Sequence, residues 1–115
     1  MITILTNHTK KKTFPVTVHC SVTTKQRVTG LMFKKSFEQS ALVIPDCRQI
    51  HTFFMRFCID VLFIDSNNYI VHIEKSVKPW RISPKVTTAS YVLESASGTG
   101  VTSDFNVGDQ VEILE

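Results

Sequence analysis

Eight side chains able to take part in acid–base, thiol, metal or anion chemistry fall within fourteen consecutive positions: Cys47, Arg48, His51, Thr52, Met55, Arg56, Cys58 and Asp60. Asp60 constrains the rest. The run Cys58 to Ile64 is otherwise apolar, the pattern of a strand covered on both faces. A carboxylate in such a strand loses its hydration, so a cation or a hydrogen-bond donor must meet it there. Arg56 lies four residues away, and an extended chain puts positions of equal parity on one face. Arg27, Arg48, His72 and Arg81 are the other candidates. Two roles follow for Asp60: a buried strut that fixes the sheet, or one wall of a cleft where arginines hold an anionic or polyhydroxy ligand. Trp80, beside Arg81, adds an aromatic platform to that cleft or plugs the end of a barrel.

Cys47 and His51 raise thiol or metal chemistry. A nucleophilic cysteine needs a base within hydrogen-bond reach and an oxyanion donor, which no spacing along the chain can establish. Neither C-x-x-C nor H-x-x-x-H occurs, so no metal is expected, and Cys20 and Cys58 read as small buried thiols. No glycine-rich phosphate loop and no Gly-x-Ser-x-Gly elbow occurs, so no cofactor is expected either. The chain carries 13 Lys and Arg against 10 Asp and Glu, a net charge of +3. That mild excess, without aromatic and basic residues alternating on a strand, argues against nucleic acid as the partner.

The elements that must hold these residues are strands. Val, Ile and Thr number 36 among 115 residues, against 9 Ala and Leu, so side chains suited to a pleated surface outnumber strong helix formers fourfold. Strands are expected over Ile2 to Leu5, Val16 to Val22, Ala41 to Ile44, Cys58 to Ile64, Tyr69 to Val77, Tyr91 to Leu93 and Gln110 to Leu114. Asp65 to Asn68 turns a hairpin, with Asn68 able to take a positive φ. Short helices are expected between Thr23 and Gly30 and, more weakly, between Gly98 and Asn106. The fold expected is a single mainly β domain over 1–115: a small closed or partly closed antiparallel β-barrel with one or two short helices. No apolar stretch approaches a membrane helix, and Met1 to Lys12 lacks a secretory core, so a cytoplasmic location is expected.

Three blocks carry a family resemblance: Arg27 with Gly30-Leu31-Met32-Phe33-Lys34, the run Cys47 to Phe57, and Ile59 to Asp65. With Pro79-Trp80-Arg81, Tyr91 to Glu94, Gly98 and Val107-Gly108-Asp109, they resemble the signature of the domain of unknown function 192 family, in its subgroup with His-Thr-Phe-x-Met-Arg-Phe and Pro-Trp-Arg. The resemblance implies a compact β-barrel-like domain in small prokaryotic proteins and no established activity. Cys58 stands where the family usually has proline, and Phe54 where it often has glycine or tryptophan, which narrows any cleft there.

The function expected is a non-catalytic binding module whose cleft, lined by His51, Arg56, Asp60, Trp80 and Arg81, takes a small polar or glycan-like ligand or a protein partner. An enzyme using Cys47 or His51 with Asp60 is the alternative. A further one is an assembly or secretion-associated protein contacting a partner through an apolar patch at Phe33 and Phe37.

Overall fold

The structure, a computed structural model, describes residues 3–7, 9–10, 12–20, 40–97 and 105–114. The β-branched runs form seven strands: β1 (Thr3–Asn7), β2 (Lys12–Cys20), β3 (Ser40–Pro45), β4 (Ile59–Ile64), β5 (Ile70–Val77), β6 (Tyr91–Ala96) and β7 (Val111–Leu114). They make one sheet in the order β5-β4-β6-β3-β2-β1-β7. Each neighbouring pair is antiparallel except β2 with β3, which run parallel from Thr17↔Ser40 to Cys20↔Val43. Parallel neighbours need a long crossover, and residues 21–39 provide its length. The helix expected over 23–30, Arg27, and the patch at Phe33 and Phe37 belong to that connection, outside the described residues. The second helix falls largely on residues 98–104, also outside them. Among the described residues there is no helix, and none long and apolar enough to cross a membrane.

The sheet curls until its two edge strands meet at one end. Tyr69 bridges Gln110, Ile70 N–H donates to the Asp109 carbonyl at 2.9 Å, and the N–H groups of Gly108 and Val111 donate to the carbonyls of Ile70 and Asn68, each at 2.8 Å. Gly108 makes this approach with φ +96°, a conformation that strains any residue with a Cβ. The ladder itself does not close, so the result is a partly closed barrel.

All six residues of β4 are buried, and alternation sends them into two cores. Ile59, Val61 and Phe63 join Leu42, Ile44, Ile50, Met55 and Val92 on one face. Leu62 and Ile64 join Leu93, Phe105 and Val111 on the other. β6 lies between β4 and β3 and extends through Glu94, Ser95 and Ala96, beyond the Tyr91 to Leu93 expected, because the β3 ladder continues to Ser95 and the β4 ladder to Ala96. β2 likewise begins at Lys12 and takes in Pro15, which pairs with Ile4 of β1 before the β3 ladder starts at Thr17. The hairpin turn is as expected: Asn68 has φ 68°, and Asp65 Oδ1 accepts the N–H groups of Asn67 and Tyr69 at 2.9 Å.

Candidate functional site

The segments before β4 and after β5 zip together into an irregular ribbon across one core. Cys47 N–H donates to Ser90, Val86 N–H to Arg48, Ser83 N–H to Ile50 and Thr52 N–H to Arg81, while His51 bridges Ile82. From beneath, Cys47, Ile50, Met55 and Ala89 seat the ribbon in the core. Thr52, fully buried, is the fastening. Its Oγ1 donates to the Lys78 carbonyl at 2.6 Å and accepts the Arg81 N–H at 2.8 Å, and its carbonyl accepts the N–H groups of Trp80 at 2.9 Å and Met55 at 3.3 Å.

This fastening sets two bulky residues in the left-handed region: Phe54 at φ 65° and Trp80 at φ 64°. Side chains with a Cβ pay for that region with roughly 1–2 kcal/mol. Both rings point outward and touch. Phe54 and Trp80 are 4.7 Å apart between centroids and tilted by 60°, Phe53 lies 5.9 Å from Trp80, and His51 lies 4.9 Å from Phe53. Trp80 is 55% exposed and Phe54 49%, and the neighbouring Ile82 is exposed as well. Trp80 therefore does not plug the barrel. The segments 47–57 and 78–90 that carry these rings also hold Arg48, Arg56, Lys78, Arg81 and Lys85 and not one Asp or Glu, Arg48 lying towards the ribbon's other end, where its Nε donates to the Ala89 carbonyl at 3.2 Å.

Asp60 belongs to a different cluster. Opposite it, the β4–β5 register shifts between Ile59↔Val77 and Val61↔Glu74, so Lys75 and Ser76 together face one residue. Such a bulge leaves an N–H off the ladder. Ser76, at φ 54°, directs that N–H to Asp60 Oδ1 at 2.8 Å, and the Ser97 hydroxyl donates to the same oxygen at 2.8 Å. An amide and a hydroxyl are thus among the proton-donating partners that burial demands. Ser95, directly across from Asp60 on β6, is fully buried with its hydroxyl unpaired.

Glu94, on the opposite face of β6, went unnoticed as a site residue in the sequence, where Tyr-Val-Leu-Glu-Ser-Ala gives no sign that the strand continues past Leu93. It is cross-strand partner to Val61 and Leu42 and accepts no hydrogen bond from the described residues. Burial pushes its pKa from 4.5 to about 8. Burial, with a smaller contribution from the Asp65 charge, raises that of Tyr91 to about 12, and the Tyr91 hydroxyl donates to Asn68 Oδ1 at 2.8 Å. The Cys47 thiol is buried and donates to the Gln49 carbonyl at 3.2 Å, while His51 Nδ1 accepts the Phe53 N–H at 3.3 Å. Thiol and imidazole are not hydrogen-bonded to each other. Cys58 is free and half-buried.

Of the five residues expected to line a cleft, the structure brings His51, Trp80 and Arg81 onto one ribbon. Arg56 is exposed on the same ribbon and makes no ion pair with Asp60. Asp60 sits in its own hydrogen-bonded set at the bulge. Phe53, Phe54 and Thr52 complete the surface. Thr52 was visible as part of the polar cluster, but its role depends on a partner 29 residues away.

The profile of DUF192, Uncharacterized ACR, matches residues 4–113. An UPF0127 protein of Pyrococcus horikoshii is 32% identical over 113 residues, covering 95% of this chain and 97% of the relative. Another from Pyrococcus furiosus is 34% identical over 110 residues, covering 92% and 94%. Among solved structures, a protein of unknown function from Novosphingobium aromaticivorans superposes with a TM-score of 0.80 at 18% identity, over 97% of this chain and 84% of its own. A protein from Sinorhizobium meliloti superposes with a TM-score of 0.79 at 24% identity, over 96% and 91%. At these identities the two structures share the fold.

Proposed function

We propose that this chain, which belongs to the DUF192 family, is a non-catalytic binding module whose ligand docks on the ribbon formed by segments 47–57 and 78–90. The carrying observation is the exposed Phe54–Trp80 pair on left-handed backbone. An exposed ring adds little to folding, and positive φ subtracts from it, so the arrangement serves contact better than stability. His51 and Phe53 extend the aromatic surface, Arg56 and Arg81 flank it with charge, and Thr52 holds its shape. Asp60 supports it indirectly, because the bulge it anchors at Ser76 lies two residues before Lys78, where the ribbon begins.

A thermal-shift screen of sugars, nucleotides, inorganic anions and peptides against the wild type and Trp80→Ala tests this reading. At least one compound is expected to raise the melting temperature of the wild type and not of the variant. If every compound that shifts the wild type shifts Trp80→Ala equally, or if none shifts either, the ribbon is not a binding surface.

A further inference from the structure

We infer that the occupant of the ribbon is an acidic segment of another protein, one that carries apolar side chains between its carboxylates. The inference rests on the binding-module reading and narrows it to one partner chemistry. Charge complementarity comes first. Arg56, Lys78 and Arg81 each lie within two residues of Phe54 or Trp80 along the chain, and segments 47–57 and 78–90 carry no carboxylate, although the whole chain is only +3. Such a patch steers and orients an anionic partner.

The shape of the apolar surface favours a peptide over a sugar or a nucleobase more than charge does. A sugar ring or a nucleobase stacks on a flat, open aromatic face. Here Phe54 lies at 60° to Trp80 and Phe53 at 30°, so the three rings do not share one plane. Rings set at such angles offer faces and edges to a branched or aromatic side chain. Ile82, 62% exposed and in backbone register with His51, adds aliphatic surface that has nothing to offer a base or a sugar. Trp and Arg around an apolar centre are also the residue types that dominate protein–protein contact energies.

The test is fluorescence anisotropy with a short labelled peptide in which glutamates alternate with leucine and phenylalanine. Its lysine-for-glutamate counterpart, oligothymidylate and a neutral oligosaccharide run in parallel. The acidic peptide is expected to bind at least about tenfold more tightly than the lysine peptide, and to weaken as salt rises from about 50 to 300 mM. Trp80→Ala is expected to weaken binding by about thirtyfold and Arg81→Glu by about tenfold or more. Circular dichroism of both variants, and of Arg56→Glu as a second charge reversal, checks that the sheet is intact. Equal affinity for the two peptides overturns the inference, as does acidic-peptide binding that survives both substitutions. Tighter, Trp80-dependent binding of oligothymidylate or the oligosaccharide overturns the acidic-segment assignment and leaves the binding module standing. If no probe binds and the thermal-shift screen is also silent, both readings fail together.

Discussion

Glu94 carries a buried acid to which no described residue donates a hydrogen bond. With its folded pKa near 8 and its unfolded value near 4.5, the native state keeps a proton that the unfolded chain releases between those values. Stability from this group is therefore whole below pH 4.5 and declines as pH rises towards 8, by at most about 1.4 kcal/mol for each pH unit within that window. Glu94→Gln removes the titration while keeping the shape. Urea midpoints at about pH 5 and pH 8 are expected to differ clearly in the wild type and much less in the variant. An identical pH slope in both would mean that the carboxyl is solvated after all. Trp80 poses the opposite case, an exposed side chain on strained backbone. Trp80→Gly relieves the positive φ, so its stability is expected to stay level or rise by up to about 1 kcal/mol while binding at the ribbon is lost. A structural tryptophan would instead show a large drop in the denaturation midpoint.

At the scale of elements, two features position the site, and neither could be located from sequence. Most strands were legible because β-branched residues alternate with polar ones, and the hairpin at Asp65–Asn68 because its turn chemistry is local. The bulge at Ser76 was not, since only the register across two strands shows that Asp60 faces an extra residue. Nor were the left-handed rings, because Phe and Trp have no preference for positive φ: Trp80 is held there by its N–H bond to the distant Thr52 carbonyl, and Phe54 by the turn that the Met55 N–H closes on the same carbonyl. The need for a donor at Asp60 was readable, and its identity was not. Thr52→Val, which keeps the shape and deletes the hydroxyl, is expected to lower stability by about 1–3 kcal/mol by orphaning the Arg81 N–H and Lys78 carbonyl. Because the chain has one Trp, its emission reports directly on whether the ribbon loosens. Asp60→Ala is expected to cost a similar amount, with the Ser76 amide losing its protection from hydrogen exchange. Retention of that protection would remove Asp60 from the role of anchor.

Across the whole molecule, the sheet is best supported at β4 and β6 and least where its edges meet. β4 and β6 are flanked on both sides and bury residues in both cores, whereas β5 and β7 are joined by a single bridge and a few neighbouring backbone bonds. Amides of β4 and β6 are therefore expected to exchange only with global unfolding, and those of Ile70, Gly108 and Val111 through a smaller opening at the junction. Uniform protection across both sets, measured by native-state hydrogen exchange, would show that the barrel opens as one unit.

The position of β1, between β2 and the late-arriving β7, has a bearing on how the protein is made. A ribosome releases β1 and β2 early, yet the flank of β1 that receives β7 stays bare until residues 111–114 emerge. Throughout that interval the nascent chain presents an unsatisfied strand capable of pairing with a sibling on the same polysome. Slow elongation or high expression should thus favour aggregates seeded at this flank. The folded sheet owes its protection there to β7, which leaves the ribosome after the other six strands.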